Sequence, residues 1–222
     1  MSNQHKVYTV KEEVAHALTH GIGAVLSIVA LVFMLIWAAA YGDGWHVVAA
    51  SIYGASLILL YTASTLYHAF PWPKMKAVFQ QLDHAAIYIL IAGTYTPFAL
   101  INLRDAWGWT LLGVAWGIAL VGVVLELTLK KRIAWLSLTL YLGMGWMAII
   151  AINPMIDNVD AGGLMLLVAG GLAYTLGVIF YVWKSLPYHH AIWHLFVLAG
   201  SVFHFFSIFY FVLPQPELLS AN

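Results

Sequence analysis

The chain has no cysteine and little charge, with nine basic and nine acidic side chains among 222 residues. Without cysteine there is no disulfide and no thiolate for a metal. Charged residues are 8% of the sequence, where a soluble domain carries about 25%. The formal net charge is zero, so no nucleic acid partner is expected. A cleavable signal peptide is not expected either. The first 14 residues are polar, and the apolar run after them is too long for a signal h-region.

What is present in excess is apolar, at 63% of the chain. The scarce charges divide it into windows. No Asp, Glu, Lys or Arg lies between Glu13 and Asp43, Asp43 and Lys74, Asp83 and Arg104, or Asp105 and Glu126. The same holds from Arg132 to Asp157, Asp160 to Lys184, and Lys184 to Glu217. Each window is long enough to cross about 30 Å of hydrocarbon, which takes roughly 20 apolar residues. The expected fold class is all-α: a polytopic membrane protein built as a seven-transmembrane-helix bundle. Residues 1–14 form a cytoplasmic N-terminal segment in this reading, 15–213 the transmembrane domain and 214–222 an external tail. Gly113, Gly117, Gly143, Gly145, Gly170 and Gly171 read as sites of close helix packing, and the Trp and Tyr residues mostly as interfacial belts.

Orientation follows from the basic residues, which favour cytoplasmic loops. Lys6, Lys11, Lys74, Lys76, Lys130, Lys131, Arg132 and Lys184 fall on one side, and only Arg104 on the other. The N-terminus is therefore expected inside and the C-terminus outside, in a bacterial plasma (inner) membrane. A periplasm-active reporter fused after Asn222 should be active and one in the Lys74 loop silent; the reverse pattern would overturn the orientation. An internal N-terminus excludes a G-protein-coupled receptor. The last span, residues 190–213, has no lysine for a retinal Schiff base, which excludes a microbial rhodopsin.

Ionisable groups inside a span are costly and usually face the bundle interior. Here they gather at the cytoplasmic end. His16 and His20 start the first span, Ser64 and His68 end the second, Asp83 and His84 open the third, and His190 and His194 open the last. His190 and His194 lie four apart, one above the other on a helix face, as do Ser64 and His68. Glu13, His16 and His20 share a face. Imidazole suits zinc, and a catalytic zinc typically has three protein ligands plus water. The last-span pair offers two ligands and a histidine from a neighbouring helix a third. Asp83 can then hold or deprotonate a water, and Ser64 can donate to a developing oxyanion. Simpler readings stand beside this one. His16, His84 and His189 can be interfacial or packed, His5 and His46 loop or rim residues, and Asp83 a helix N-cap. Glu126 reads as a surface ion pair or snorkelling group beside the Lys130 cluster. A haem between His190 and His204 lacks a matching pair on a second helix.

The segments E-E-V-A-H-A-L-T-H-G-I-G (12–23), A-S-T-L-Y-H-A (63–69), L-D-H-A-A-I-Y-I-L-I-A-G-T-Y-T-P-F (82–98) and H-A-I-W-H-L-F-V-L-A-G-S-V-F-H-F (190–205) resemble the hemolysin III family. That family is the bacterial branch of the progestin and adiponectin receptor (PAQR) family, and the resemblance covers about residues 10–213. It implies a seven-helix fold with the N-terminus in the cytoplasm. It implies a Zn2+ held by His68, His190 and His194, with Asp83 contacting the zinc-bound water and Ser64 as the serine of the S-x-x-x-H motif. Relatives such as alkaline ceramidases hydrolyse lipid amides. His16 departs from the Asn that bacterial relatives usually carry there, which leaves its role open. Three functions compete: a zinc-dependent hydrolase of a lipid amide or ester, with a membrane lipid as substrate or ligand; a channel, lytic protein or regulator of membrane energetics with a structural zinc; and a receptor-like sensor. A transport path would show polar residues through the full depth, whereas the last span offers Ser201 and His204, the third Thr94 and Thr96, and the outer half has little else.

Overall fold

The computed structural model describes residues 8–129 and 132–215. His5, Lys6, Lys130, Lys131 and residues 216–222 lie outside them. Among the described residues the structure is helical, without strands. The elements are α1 (Val10–Tyr41), α2 (Gly44–Ala69), α3 (Pro73–Pro97), α4 (Ala106–Thr128), α5 (Ala134–Gly145), α6 (Ile152–Asn158), α7 (Ala161–Val182) and α8 (His189–Phe211). A π-helical turn, Phe98–Asn102, prolongs α3, and a 3-10 turn, Met147–Ala151, joins α5 to α6. Counted with these turns, seven spans among the described residues are long and apolar enough to cross a membrane.

Local chemistry explains where the helices start and bend. Thr9 and Glu12 form a capping box at the head of α1, the Thr9 hydroxyl accepting from Glu12 N–H and the Glu12 carboxylate from Thr9 N–H, which satisfies two orphan donors. Asp43, Asp105 and Asp160, which bound the charge-free windows, cap α2, α4 and α7 by accepting from backbone N–H groups. The imidazole of His46 beside Asp43, with the backbone donors, holds that carboxyl below the usual range. Pro97 lacks an N–H, and the helix widens into the π turn directly after it, Leu103 N–H reaching Phe98 O. Tyr95 secures the break after α5: its hydroxyl donates to Met144 O at 2.7 Å and accepts from Ala148 N–H at 3.0 Å.

Helix α1 packs against α2 and α8, α2 against α3, α3 against α4, and α7 against α8. Tyr53, Tyr61, Tyr88, Met34 and Ile208 are fully buried between them, while apolar side chains such as Leu120, Ile150 and Met165 face outward, as lipid contact requires. The small-residue expectation needs correction. A Cβ at Gly113, Gly117, Gly143 or Gly145 would meet open space. Close approach is needed at Gly170, against the His204 ring, and at Gly122, against Tyr88. Sequence alone could not tell which glycines faced a neighbour.

Helices α5 and α6 are held less tightly, α5 mainly against α3 and α4, and α6 against α7. Between them and α2, α3, α7 and α8 lies a cavity of about 250 Å3. It runs from Asp83, His190 and His194, at the end where α3 and α8 begin, to Leu103, Met155 and Leu164, where α3 ends and α7 begins.

A candidate metal centre

The histidines that the topology was expected to gather do meet. One nitrogen each from His68, His190 and His194 can be chosen so that all lie within 4.8 Å of one another. His68 and His194 are buried, and the His190 ring nitrogens are enclosed and have no hydrogen-bond partner. Such a set is expensive to keep in a protein interior unless something satisfies it.

The tautomers are prepared for that role. His68 Nδ1 lies 2.7 Å from Glu13 Oε2. A carboxylate only accepts, so Nδ1–H donates and the lone pair of Nε2 is left free. That Nε2 is buried and partnerless. Lys76 Nζ holds the other oxygen of Glu13 at 2.8 Å. A carboxylate behind a ligating histidine fixes its orientation and raises its basicity. His194 Nδ1 sits 3.2 Å from the His16 carbonyl and 3.1 Å from the Thr19 hydroxyl, which leaves its Nε2 for a ligand. Three imidazoles, two of them held by hydrogen bonds through Nδ1, fit zinc or a similar divalent ion. Glu13, His16 and His68 form a second group of the same compactness.

Around this core sit the other residues singled out from sequence. His16 is buried with both nitrogens unpartnered. His20 stacks on His194, with ring centroids 3.5 Å apart and planes at 12°, and meets Tyr61 edge-on at 5.0 Å. Asp83 is buried and lines the cavity with His190 and His194, so it is no terminal cap; the N-cap of α3 is Trp72. Ser64 is buried on the same wall, beside the Asp83 carboxylate, its hydroxyl without a hydrogen bond of good geometry.

Several groups have structural employment. His189 Nδ1 bonds Phe180 O at 3.0 Å, tying α8 to α7 beside the left-handed Tyr188. His204 Nε2 bonds Leu167 O at 3.1 Å. Thr94 and Thr96 donate to their own helix, and Ser201 meets the hydroxyls of Tyr61 and Tyr174, each at 2.8 Å. The polar groups below the cluster are thus spent on bonds within or between helices. Glu126 is not a surface residue. It is buried, accepts from Arg132 Nε at 3.2 Å through both oxygens, and accepts from Ser137. Arg132 also donates to Tyr181, so the pair fastens α4 to α5 and α7.

Two contributors escaped the sequence reading. Glu13 was placed only on a shared face with His16 and His20, and its bond to His68 crosses between helices; a carboxylate one turn from a histidine at a span end was the available signal. Tyr8 lies edge-on to His16 at 4.7 Å and stacks on His190 at 5.6 Å, and burial pushes its phenol pKa up. Nothing in the sequence distinguished it from an interfacial tyrosine.

Comparison with known proteins bears on this geometry. The family described as Haemolysin-III related matches residues 8–205. The chain is 49% identical to the Hemolysin-3 homolog of Bacillus subtilis, over 96% of this chain and 100% of that protein. It is 50% identical to Hemolysin-3 of Bacillus cereus, over 92% and 94% respectively. Human Monocyte to macrophage differentiation factor is 31% identical, over 94% of this chain and 87% of its own length.

Proposed function

Because the chain belongs to the haemolysin-III-related family of membrane proteins, we propose that it is a zinc-dependent hydrolase of a lipid amide or ester, working in the bacterial inner membrane. One observation carries the proposal: His190, His194, Asp83 and Ser64 line the head of a single long cavity with largely hydrocarbon walls, and His68 groups with the two histidines. That shape suits a lipid whose carbonyl lies among polar groups and whose acyl chain runs down the bundle. It offers an ion no continuous hydrated path, which weighs against a channel.

His68, His190 and His194 would hold the metal, with Glu13 fixing the ring of His68 and the His16 carbonyl that of His194. When bound, zinc supplies a Lewis acid for the carbonyl and can bring the pKa of a coordinated water to about 7. Asp83 accepts a proton from the attacking water as its oxygen joins the carbonyl carbon. It then returns that proton to the leaving nitrogen or oxygen as the acyl bond breaks. Ser64 donates to the oxygen on which negative charge develops. Apolar side chains of α3, α5 and α7 exclude bulk water from the chain of the substrate. The products are a fatty acid and an amine or alcohol.

The test is fatty acid release from ceramides, N-acyl amino lipids and phospholipids by the purified protein. Release should stop on chelation and return with zinc. No zinc-dependent release from any lipid on the panel would remove the hydrolase reading in favour of a lytic or regulatory protein with a structural metal.

A further inference from the structure

We infer that His16 is a fourth protein ligand of this metal, approaching from the α1 side and completing a four-histidine shell in the resting protein. The inference rests on the zinc reading above and concerns a residue that reading does not use.

His16 is fully buried and neither ring nitrogen has a hydrogen-bond partner. His189 and His204 each spend a nitrogen on a backbone carbonyl; the imidazoles with both nitrogens unpartnered, His16, His20 and His190, all stand at the cluster. An enclosed polar group with no partner carries a desolvation penalty of about 1–3 kcal/mol, which a metal bond relieves.

Its position agrees. The centroids of His16, His68, His190 and His194 are separated by 4.7, 4.9 and 5.6 Å from His16 to the others and by 5.1, 5.2 and 4.5 Å among the others. Four nearly equidistant points make a tetrahedron, the usual geometry of four-coordinate zinc. The centre of this one lies about 3 Å from each centroid, close to a Zn–N bond of about 2.0–2.1 Å plus the radius of the ring. At the level of single atoms, a His16 nitrogen falls within 4.8 Å of its counterparts on Glu13 and His68, while the triad groups His68 with His190 and His194. His16 thus reaches the shared ion by a tilt of its ring. A ligand that must tilt inward is one that can also withdraw. His20, Asp83, His190 and His194 line the cavity, whereas His16 and His68 do not, so a carbonyl arrives from the side away from His16. Zinc accommodates a fifth ligand transiently, and His16 then yields its place.

X-ray absorption at the zinc edge, on the purified full-length protein, counts the imidazoles directly. Wild type should show four, with one zinc per chain. His16→Asn should show three and a lighter oxygen donor, still with one zinc per chain, and bind zinc about tenfold more weakly or worse. Three imidazoles in the wild type would overturn the inference and leave the hydrolase reading standing. Two zincs per chain, falling to one in His16→Asn, would also overturn it, placing His16 with Glu13 and His68 around a separate ion. A wild type without zinc would sink the zinc reading and this inference with it. If His16→Asn does not fold, the wild-type spectrum decides alone.

Discussion

Replacing Asp83 by Asn is expected to lower lipid turnover by about 10²–10⁴-fold, the usual contribution of a positioned general acid–base group. The side chain keeps its volume and loses only its ability to take a proton. Asp83 is buried on α3, on the cavity wall that also carries His190 and His194, with Ser64 beside it. A neutral amide there asks for less solvation than a carboxylate inside a membrane, so the fold is not expected to suffer. Zinc content is the discriminating control. The three histidine donors are untouched, so stoichiometric zinc should remain while fatty acid release collapses. If zinc is lost along with activity, Asp83 is itself a ligand and its acid–base assignment falls. If release continues at the wild-type rate, the hydrolytic role of Asp83 is wrong however much zinc is bound.

The fold was legible because a membrane simplifies the code. Charge-free windows bounded by single acids or lysines reappear as helices, and three of the bounding acids, Asp43, Asp105 and Asp160, are helix caps. Convergence of His68, His190 and His194 was legible for the same reason: alternation brings the starts of odd-numbered spans and the ends of even-numbered ones to one face. What the sequence hid is lateral. Periodicity does not say which neighbour a helix face meets, so the bond from Glu13 to His68 and the burial of Glu126 against Arg132 became visible only in three dimensions. Interrupted helices were hidden too. The bend after Gly145 depends on the Tyr95 hydroxyl, which comes from another span. His16 belongs to both classes. Its place at the end of the first span was evident, but not that its ring would stand 4.7 Å from His68 and 4.9 Å from His190.

His190→Ala should abolish stoichiometric zinc binding. His190 offers no other visible service: both of its nitrogens are enclosed without a partner, unlike His189, which ties α8 to α7. Its removal takes one of the three preset donors of the proposed site; His16, which must tilt to reach the ion, does not replace it, and the site no longer competes with water for the ion. Glu13→Gln should do less, weakening zinc by about 10–100-fold, as loss of a group behind a ligand typically does. The amide oxygen can still accept from His68 Nδ1, but the negative charge that raises the basicity of that ring is gone, and Lys76 loses its ion pair. The difference should appear in stability as well. An ion that binds only the folded state stabilises it by about 4 kcal/mol when present at a thousand times its dissociation constant. Added zinc should therefore raise the melting temperature of metal-stripped wild type, raise that of Glu13→Gln only at higher concentration, and leave His190→Ala unmoved. Metal analysis beside thermal melts in detergent measures both effects. Full zinc content in His190→Ala, with a melt that still responds to zinc, would show that His190 does not hold the metal.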